Sequence, residues 1–239
     1  MNESLADKVT QLQRTLDAVA NVHAPAAFSS SLSVEDMVIT DVLLSCGIDV
    51  EIFTIDTGRL HRETLALVDA IRRHYRYDVR IYRPDPRAVT RYVAQHGRDA
   101  FYASAELRRA CCHIRKVEPL QRALAGKKAW ITGVRREHTA ARSAVPEREV
   151  DIQHSLLKVN PLALWTERDV WDYVRTHSVP YASLYDEGYR SIGCAPCTRP
   201  VVPGEDARAG RWWWEQDTAK ECGLHVGPDG RLVRNREPA

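Results

Sequence analysis

Ala24-Pro25-Ala26-Ala27-Phe28-Ser29-Ser30-Ser31-Leu32-Ser33-Val34-Glu35-Asp36-Met37-Val38-Ile39-Thr40 decides how this chain folds. The apolar run from Ala24 to Phe28 breaks on small hydroxylated residues. It resumes at Val34 as a stretch of helical length, reaching Leu44, with Gly47 as a natural stop. That pattern reads as a short buried strand, a turn and a helix. Upstream, Leu5, Val9, Leu12, Leu16 and Val19 recur every three or four residues, the signature of an amphipathic helix over residues 1–20. Downstream, Val50 to Ile55 reads as a second strand closed by Asp56-Thr57-Gly58. A helix over 62–74 and a strand from Val79 to Tyr82 follow. This β-α-β-α-β rhythm predicts an α/β fold with a doubly wound, mostly parallel sheet.

Further along, residues 86–97 and 101–125 read as helices, with Cys111-Cys112 inside or at the edge of the second. Lys128 to Thr132 is another strand, ending in Gly133-Val134-Arg135-Arg136. Residues 134–150 are polar and Arg-rich, a loop or hairpin. Thr166 caps a helix running to about His177. From Pro180 the pattern is irregular and aromatic, and about 226–239 reads as a frayed end. The expected organisation is a nucleotide-binding body over 1–205 and a mobile C-terminal tail over 206–239.

With 239 residues and 44% of them hydrophobic, the chain can bury a sizeable core. Its formal net charge of +2 supplies no global basic field, which argues against a nucleic-acid partner. Six cysteines in a chain of this length are not a disulfide scaffold. Met1 to Lys8 is polar and acidic, unlike a signal peptide, and no apolar run approaches the ~20 residues that span a bilayer. The expectation is a soluble cytoplasmic protein in a reducing compartment, with no membrane association.

Five features carry chemistry. The turn Ser29, Ser30, Ser31 and Ser33 stands where open α/β sheets bind phosphates, although it lacks the G-x-x-x-x-G-K-[ST] loop. Asp56, Thr57 and Gly58 stand at the next strand end, where an Asp could hold a ribose hydroxyl and Gly permits close approach. Arg115, Lys116, Arg135, Arg136, Arg142, Arg208 and Arg211 cluster in sequence beside the cysteine motifs. Solvated surface charge explains any one of them, but together they favour an anion site. Cys111, Cys112, Cys194 and Cys197 form two thiol pairs, which suit zinc or a [4Fe–4S] cluster. Neighbouring thiolates strain the small tetrahedron around one zinc ion, which favours iron. Cys222, between Lys220 and His225 and followed by Gly223, reads as a nucleophile. Cys46 reads as a buried small hydrophobe. Trp212-Trp213-Trp214 could cover a ligand or a partner, or pack a core.

Cys-Cys-x-x-Arg-Lys at 111–116, Gly-Cys-x-Pro-Cys-Thr-Arg-Pro at 193–200, Gly-Arg-Trp-Trp-Trp-Glu at 210–215 and Lys-Glu-Cys-Gly-Leu-His at 220–225 together resemble the assimilatory iron–sulfur adenylylsulfate (APS) reductases. The resemblance runs from about residue 26 to 225. It implies an adenine nucleotide alpha hydrolase-like domain and a [4Fe–4S] cluster on Cys111, Cys112, Cys194 and Cys197. It implies reduction of APS to sulfite and AMP in sulfate assimilation toward cysteine, with reduced thioredoxin or glutaredoxin as dithiol donor. By the same resemblance, Lys116, Arg142, Arg208 and Arg211 would hold phosphate and sulfate. The Ser29 to Ser33 and Asp56-Thr57-Gly58 turns would hold the nucleotide, and Cys222 would become an S-sulfocysteine. Related turns usually carry Gly where this chain has Ser33. Three rivals stand beside this reading: the 3′-phosphorylated substrate PAPS, a tRNA-thiolating enzyme, and a non-catalytic zinc-stabilised module.

Overall fold

The computed structural model describes residues 4–138 and 142–215. Its sheet is built from short strands: β1 (Ala26–Ser29), β2 (Glu51–Ile55), β3 (Arg80–Tyr82), β4 (Ala129–Ile131), β5 (Arg148–Asp151) and β6 (Leu156–Val159). Their order is β3-β2-β1-β4-β6-β5. All neighbours run parallel except the edge pair of β5 and β6. The predicted doubly wound α/β fold is therefore present. Strand β6 lies just past the predicted loop or hairpin and completes it. Its alternation is too short to stand out beside the polar residues around it.

Seven α-helices carry the rest of the regular structure: α1 (Leu5–Val22), α2 (Val34–Ser45), α3 (Arg62–Tyr75), α4 (Pro86–His96), α5 (Ala105–Cys112), α6 (Glu118–Leu124) and α7 (Glu167–His177), counted among the described residues. Side chains alternate across each strand. Ala26, Phe28, Ile52, Ala129 and Ile131 face one layer, where they pack with α1, α2, α3 and α7. Ala27, Phe53 and Trp130 face the other, against Leu120, Ala123 and Leu124 of α6. Helix α2 is buried along most of its length, so its carboxylates need partners inside the protein. Asp41 finds three: the hydroxyls of Tyr75, Tyr173 and Ser45 donate to its oxygens at 2.8, 2.6 and 3.4 Å.

Two expectations need correction. The helix expected over 101–125 is present from 105 to 124 without a gap, but a separate short turn at 100–102 precedes it and its middle changes pitch. Ser104 caps α5 afresh, and Pro119 opens α6. Proline has no N–H to give the preceding turn. Residues 113–117 widen into a π-helical turn in which Glu118 N–H donates to His113 C=O. Cys46 is exposed rather than buried, because it caps the C-terminus of α2 beyond the helix's packed face. Among the described residues no helix is long and apolar enough to cross a membrane.

Residues 206–215, assigned by sequence to the tail, lie against the body. Thr198 and Arg211 form an antiparallel bridge, and Arg199 N–H donates to Gly210 C=O at 3.0 Å. Replacing Tyr173 by Phe removes one donor from Asp41. We expect a loss of about 1.5–3 kcal/mol of unfolding free energy in urea titration, the usual worth of a hydrogen bond to a charged group.

Candidate active site

The sheet order reverses at β1, which lies between β2 and β4. In open α/β sheets a crevice forms at that point, beyond the carboxyl ends of the strands. A cleft of about 480 Å³ occupies it, within the range of about 300–1,000 Å³ usual for small-molecule sites. Ser29, Ser30, Ser31 and Ser33 line it from the β1 side, and Thr132 and Gly133 from the β4 side.

The serine turn is more self-satisfied than its sequence suggests. Ser31 gives both its N–H and its hydroxyl to Asp36 Oδ2, each at 2.6 Å. Leu32 N–H donates to Ser30 Oγ at 3.2 Å, and Trp130 Nε1–H donates to Ser29 Oγ at 2.7 Å. Leu32, with φ of 63°, takes the left-handed position. Ser33 is extended and serves as the N-cap of α2, so no Gly is needed there. Gly133 is needed: a Cβ on it would collide with Asp36 Oδ1. Burial pushes the Asp36 carboxyl up from 3.8 to about 6, despite the Ser31 hydrogen bonds.

Beside it, Glu35 is the hub of a buried ionic network. Arg135 reaches its Oε1 through Nε at 3.1 Å and Nη2 at 2.9 Å. His138 Nδ1 accepts from Arg135 N–H and from Arg142 Nη1, both at 3.3 Å. Nε2 therefore carries the ring proton and donates to Glu35 Oε1 at 2.9 Å. Burial opposes ionisation of Glu35, but the His138 hydrogen bond and the Arg135 guanidinium outweigh it and hold the carboxyl down at about 2. Burial pushes the His138 pKa down, keeping the ring neutral. The relay Glu35–His138–Arg142 thus orients a guanidinium that lines the cleft. Of the remaining expected cations, Lys116, Arg208 and Arg211 also line the cleft, whereas Arg115 and Arg136 do not. Arg136 donates instead to Val145 C=O at 2.8 Å.

A second, smaller pocket is lined by all four paired cysteines, Cys111 and Cys112 at the end of α5 and Cys194 and Cys197 on the loop that follows α7. Arg59, Arg108, Arg115 and Lys116 share its walls. Burial, then the neighbouring Cys194, pushes the Cys197 thiol up to about 11, and burial also raises Cys111. Such thiols ionise when a cation takes them as ligands. Among the described residues, no three ligating side chains meet around one point that would hold a single metal ion. The four thiols line one small pocket, with positive charge arranged about it.

The turn after β2 joins the two pockets. Thr57 lines the cleft, its hydroxyl lies 3.2 Å from Cys194 Sγ, and its carbonyl accepts from Arg115 Nη1 at 2.7 Å. Leu60 bridges to Cys194, and Ala195 N–H donates to Arg59 C=O at 2.8 Å. Asp56 and Gly58 do not line the cleft. Asp56 caps the turn by accepting from Gly58 N–H at 2.9 Å and pairs with Arg83 at 3.1 Å. Arg211 lies on the backbone of Gly193, where a Cβ would come within 2.6 Å of its Cζ. Cys222, with Lys220, Gly223 and His225, lies outside the described residues.

Residues 25–200 match the phosphoadenosine phosphosulfate reductase domain. The chain belongs to this family. Within it, the chain is 51% identical over 237 residues to the adenosine 5′-phosphosulfate reductase of Burkholderia cepacia, covering 99% of this chain and 95% of that one. It is 49% identical to the protein of the same name from Allochromatium vinosum, covering 91% and 82%. Its structure resembles the phosphoadenylyl-sulfate reductase of Candida auris, crystallised with phosphate, at a TM-score of 0.64 and 26% identity over 84% of this chain and 99% of that one. Yeast FAD synthetase in complex with FAD shares the fold at a TM-score of 0.56 and 14% identity.

For this member of the phosphosulfate reductase family, sequence reading missed Glu35, Asp36, His138 and Gly133 as individual site residues. Adjacent carboxylates inside an otherwise apolar helix were the available signal for the first two. Two tests follow. Gly193→Ala displaces Arg211, so affinity for inorganic sulfate by calorimetry should fall about tenfold, a loss of about 1.4 kcal/mol, with the circular dichroism unchanged. The second concerns pH. A carboxyl raised in the fold binds its proton more tightly there, so the contribution of Asp36 declines as pH climbs from 3.8 through about 6. That of Glu35 is full above 4.5 and is lost as pH falls toward about 2. Asp36→Asn should therefore gain stability over wild type across the Asp36 window and hold a constant gain above it, read from urea unfolding at stepped pH.

Proposed function

We propose that this chain reduces adenosine 5′-phosphosulfate to sulfite and AMP, with reduced thioredoxin or glutaredoxin as electron donor, in sulfate assimilation toward cysteine in the cytoplasm. The observation that carries the reading is that Lys116 lines both pockets, so the anion cleft and the four-thiol site share a wall. The near-full-length likeness to proteins named for this reaction supports the choice of substrate.

Cys111, Cys112, Cys194 and Cys197 would hold a [4Fe–4S] cluster. The donor set fits it: four thiols bound one pocket, and the surrounding guanidinium and ammonium groups offset the negative charge that thiolate ligands bring. When bound, the cluster would supply a fixed charge distribution at the cleft wall.

The chain's own residues account for the substrate chemistry. The sulfur of a phosphosulfate is ringed by anionic oxygens that repel a thiolate. Lys116, Arg142, Arg208 and Arg211 would neutralise them and hold the phosphate and sulfate. The Ser29, Ser30, Ser31 and Ser33 turn and Thr57 would hold the nucleotide, with Asp56 and Gly58 shaping the turn that presents Thr57. The Cys222 thiolate attacks the sulfur. A sulfur–sulfur bond forms, the sulfur–oxygen bond breaks, and AMP leaves with that electron pair. A donor thiolate then attacks the Cys222 sulfur and sulfite departs with the bonding pair. The second donor thiol resolves the mixed disulfide and returns Cys222 as a thiolate. The dithiol supplies both electrons.

Mass spectrometry tests this directly. Mixed with APS and no dithiol, brown protein carrying about four irons per chain, the content of one such cluster, should gain a sulfonate on Cys222. Cys222→Ser should keep the colour and make no sulfite. Iron-loaded wild-type protein that takes no adduct rejects the mechanism.

A further inference from the structure

Helix α3 starts on the side of the cleft that adjoins the four-thiol pocket. Leu60, just ahead of the helix, bridges to Cys194, and both Leu60 and Thr64 line the cleft. Gly193, the neighbour of Cys194, carries the Arg211 guanidinium on its backbone. The bridge thus brings the start of α3 and Arg211 to one side of the cleft.

Thr64 lies in the first turn of α3 and is only 2% exposed, yet its hydroxyl makes no hydrogen bond among the described residues. A helical threonine ordinarily satisfies its hydroxyl on a carbonyl three or four residues back. Burial without a partner is unfavourable for such a group. Arg211 is in the same condition. Its buried Nε has no partner, and Nη1 donates to the neutral Ser191 hydroxyl and Ile192 carbonyl at 3.5 and 3.4 Å.

The helix end adds to this. His61, the N-cap, makes no side-chain hydrogen bond to the first turn, so no side chain of its own answers the positive pole of α3. Glu63 is the acidic residue of that turn, and Arg62 pairs with it at 2.7 Å. A buried hydroxyl, the positive end of a 14-residue helix and a guanidinium therefore stand at one wall of the cleft. Donors and potential of this kind suit an oxyanion.

We propose that Thr64 is a further substrate-binding residue: its hydroxyl donates to a terminal oxygen of the sulfonate group of APS, beside Arg211 and at the N-terminus of α3. This rests on the reading of the chain as an APS reductase. The sulfonate is assigned, rather than the phosphate, because α3 begins on the thiol side of the cleft, where Lys116 also stands, whereas the serine turn lines the β1 side. A donor there draws charge from the oxygens that would repel an attacking thiolate and fixes the rotation of the sulfonate.

The test is Thr64→Val, which keeps the shape and removes the hydroxyl. The kcat/KM for APS is measured with excess reduced thioredoxin. AMP, which lacks the sulfonate, is titrated as a competing ligand, and iron content is read on the same samples. We expect kcat/KM to fall at least about tenfold, in line with the loss of a hydrogen bond to a charged group, while inhibition by AMP changes less than about twofold. Thr64→Ser, which keeps the hydroxyl, should recover most of the loss. Wild-type kcat/KM in Thr64→Val overturns the contact. An equal weakening of AMP also overturns it, as does a Thr64→Ser variant no better than Thr64→Val. Should Thr64→Val lose iron, Thr64→Ala at normal iron content carries the test, with the same split between APS and AMP expected. Iron-loaded wild-type protein that makes no sulfite from APS rejects the reductase reading, and this contact with it.

Discussion

A four-thiol pocket and a cleft at the strand ends share a wall at Lys116. Anionic groups held in both would repel each other across a partly dry site unless cations stood between them. The fold meets this by bringing Arg59, Arg108, Arg115 and Lys116 around the thiols and Arg142, Arg208 and Arg211 around the cleft. From the widened turn at 113–117, Arg115 reaches the thiols and Thr57 while its neighbour Lys116 lines both pockets.

Not every cation near the cleft is available to a ligand. Arg135 is spent on Glu35, and that pair costs little only because each partner satisfies the other out of water. Its product is orientation. His138, held neutral between Glu35 and two donors, fixes Arg142 from behind. Asp36 holds the serine turn in shape from below, and Gly133 leaves the room for it to do so. The turn is thus preorganised by the protein's own carboxylate and does not wait for a phosphate.

The Gly193, Arg211, Trp212 and Arg108 layers extend this economy to the C-terminal segment. Glycine admits a guanidinium flat on the backbone, the indole ring accepts two guanidinium groups, and Glu215 closes the stack. Cation–aromatic contacts gain strength when desolvated, as these are.

The alternation of apolar runs and turns, by itself, determined the parallel α/β sheet, because strand and helix periods are local properties of the chain. Residue type and spacing likewise singled out the four thiols that line one pocket. The break after Tyr102 was less legible: only Ser104 marks it. Tertiary structure alone decided which cations line the cleft, that Thr57 rather than Asp56 reaches it, and that residues 210–211 bond back to 198–199. Charge pairing between Glu35 and Arg135, 100 residues apart in sequence, or between Arg108 and Glu215, leaves no periodic trace. It exists only once the sheet has brought distant loops to one end and excluded the water that would otherwise have screened them.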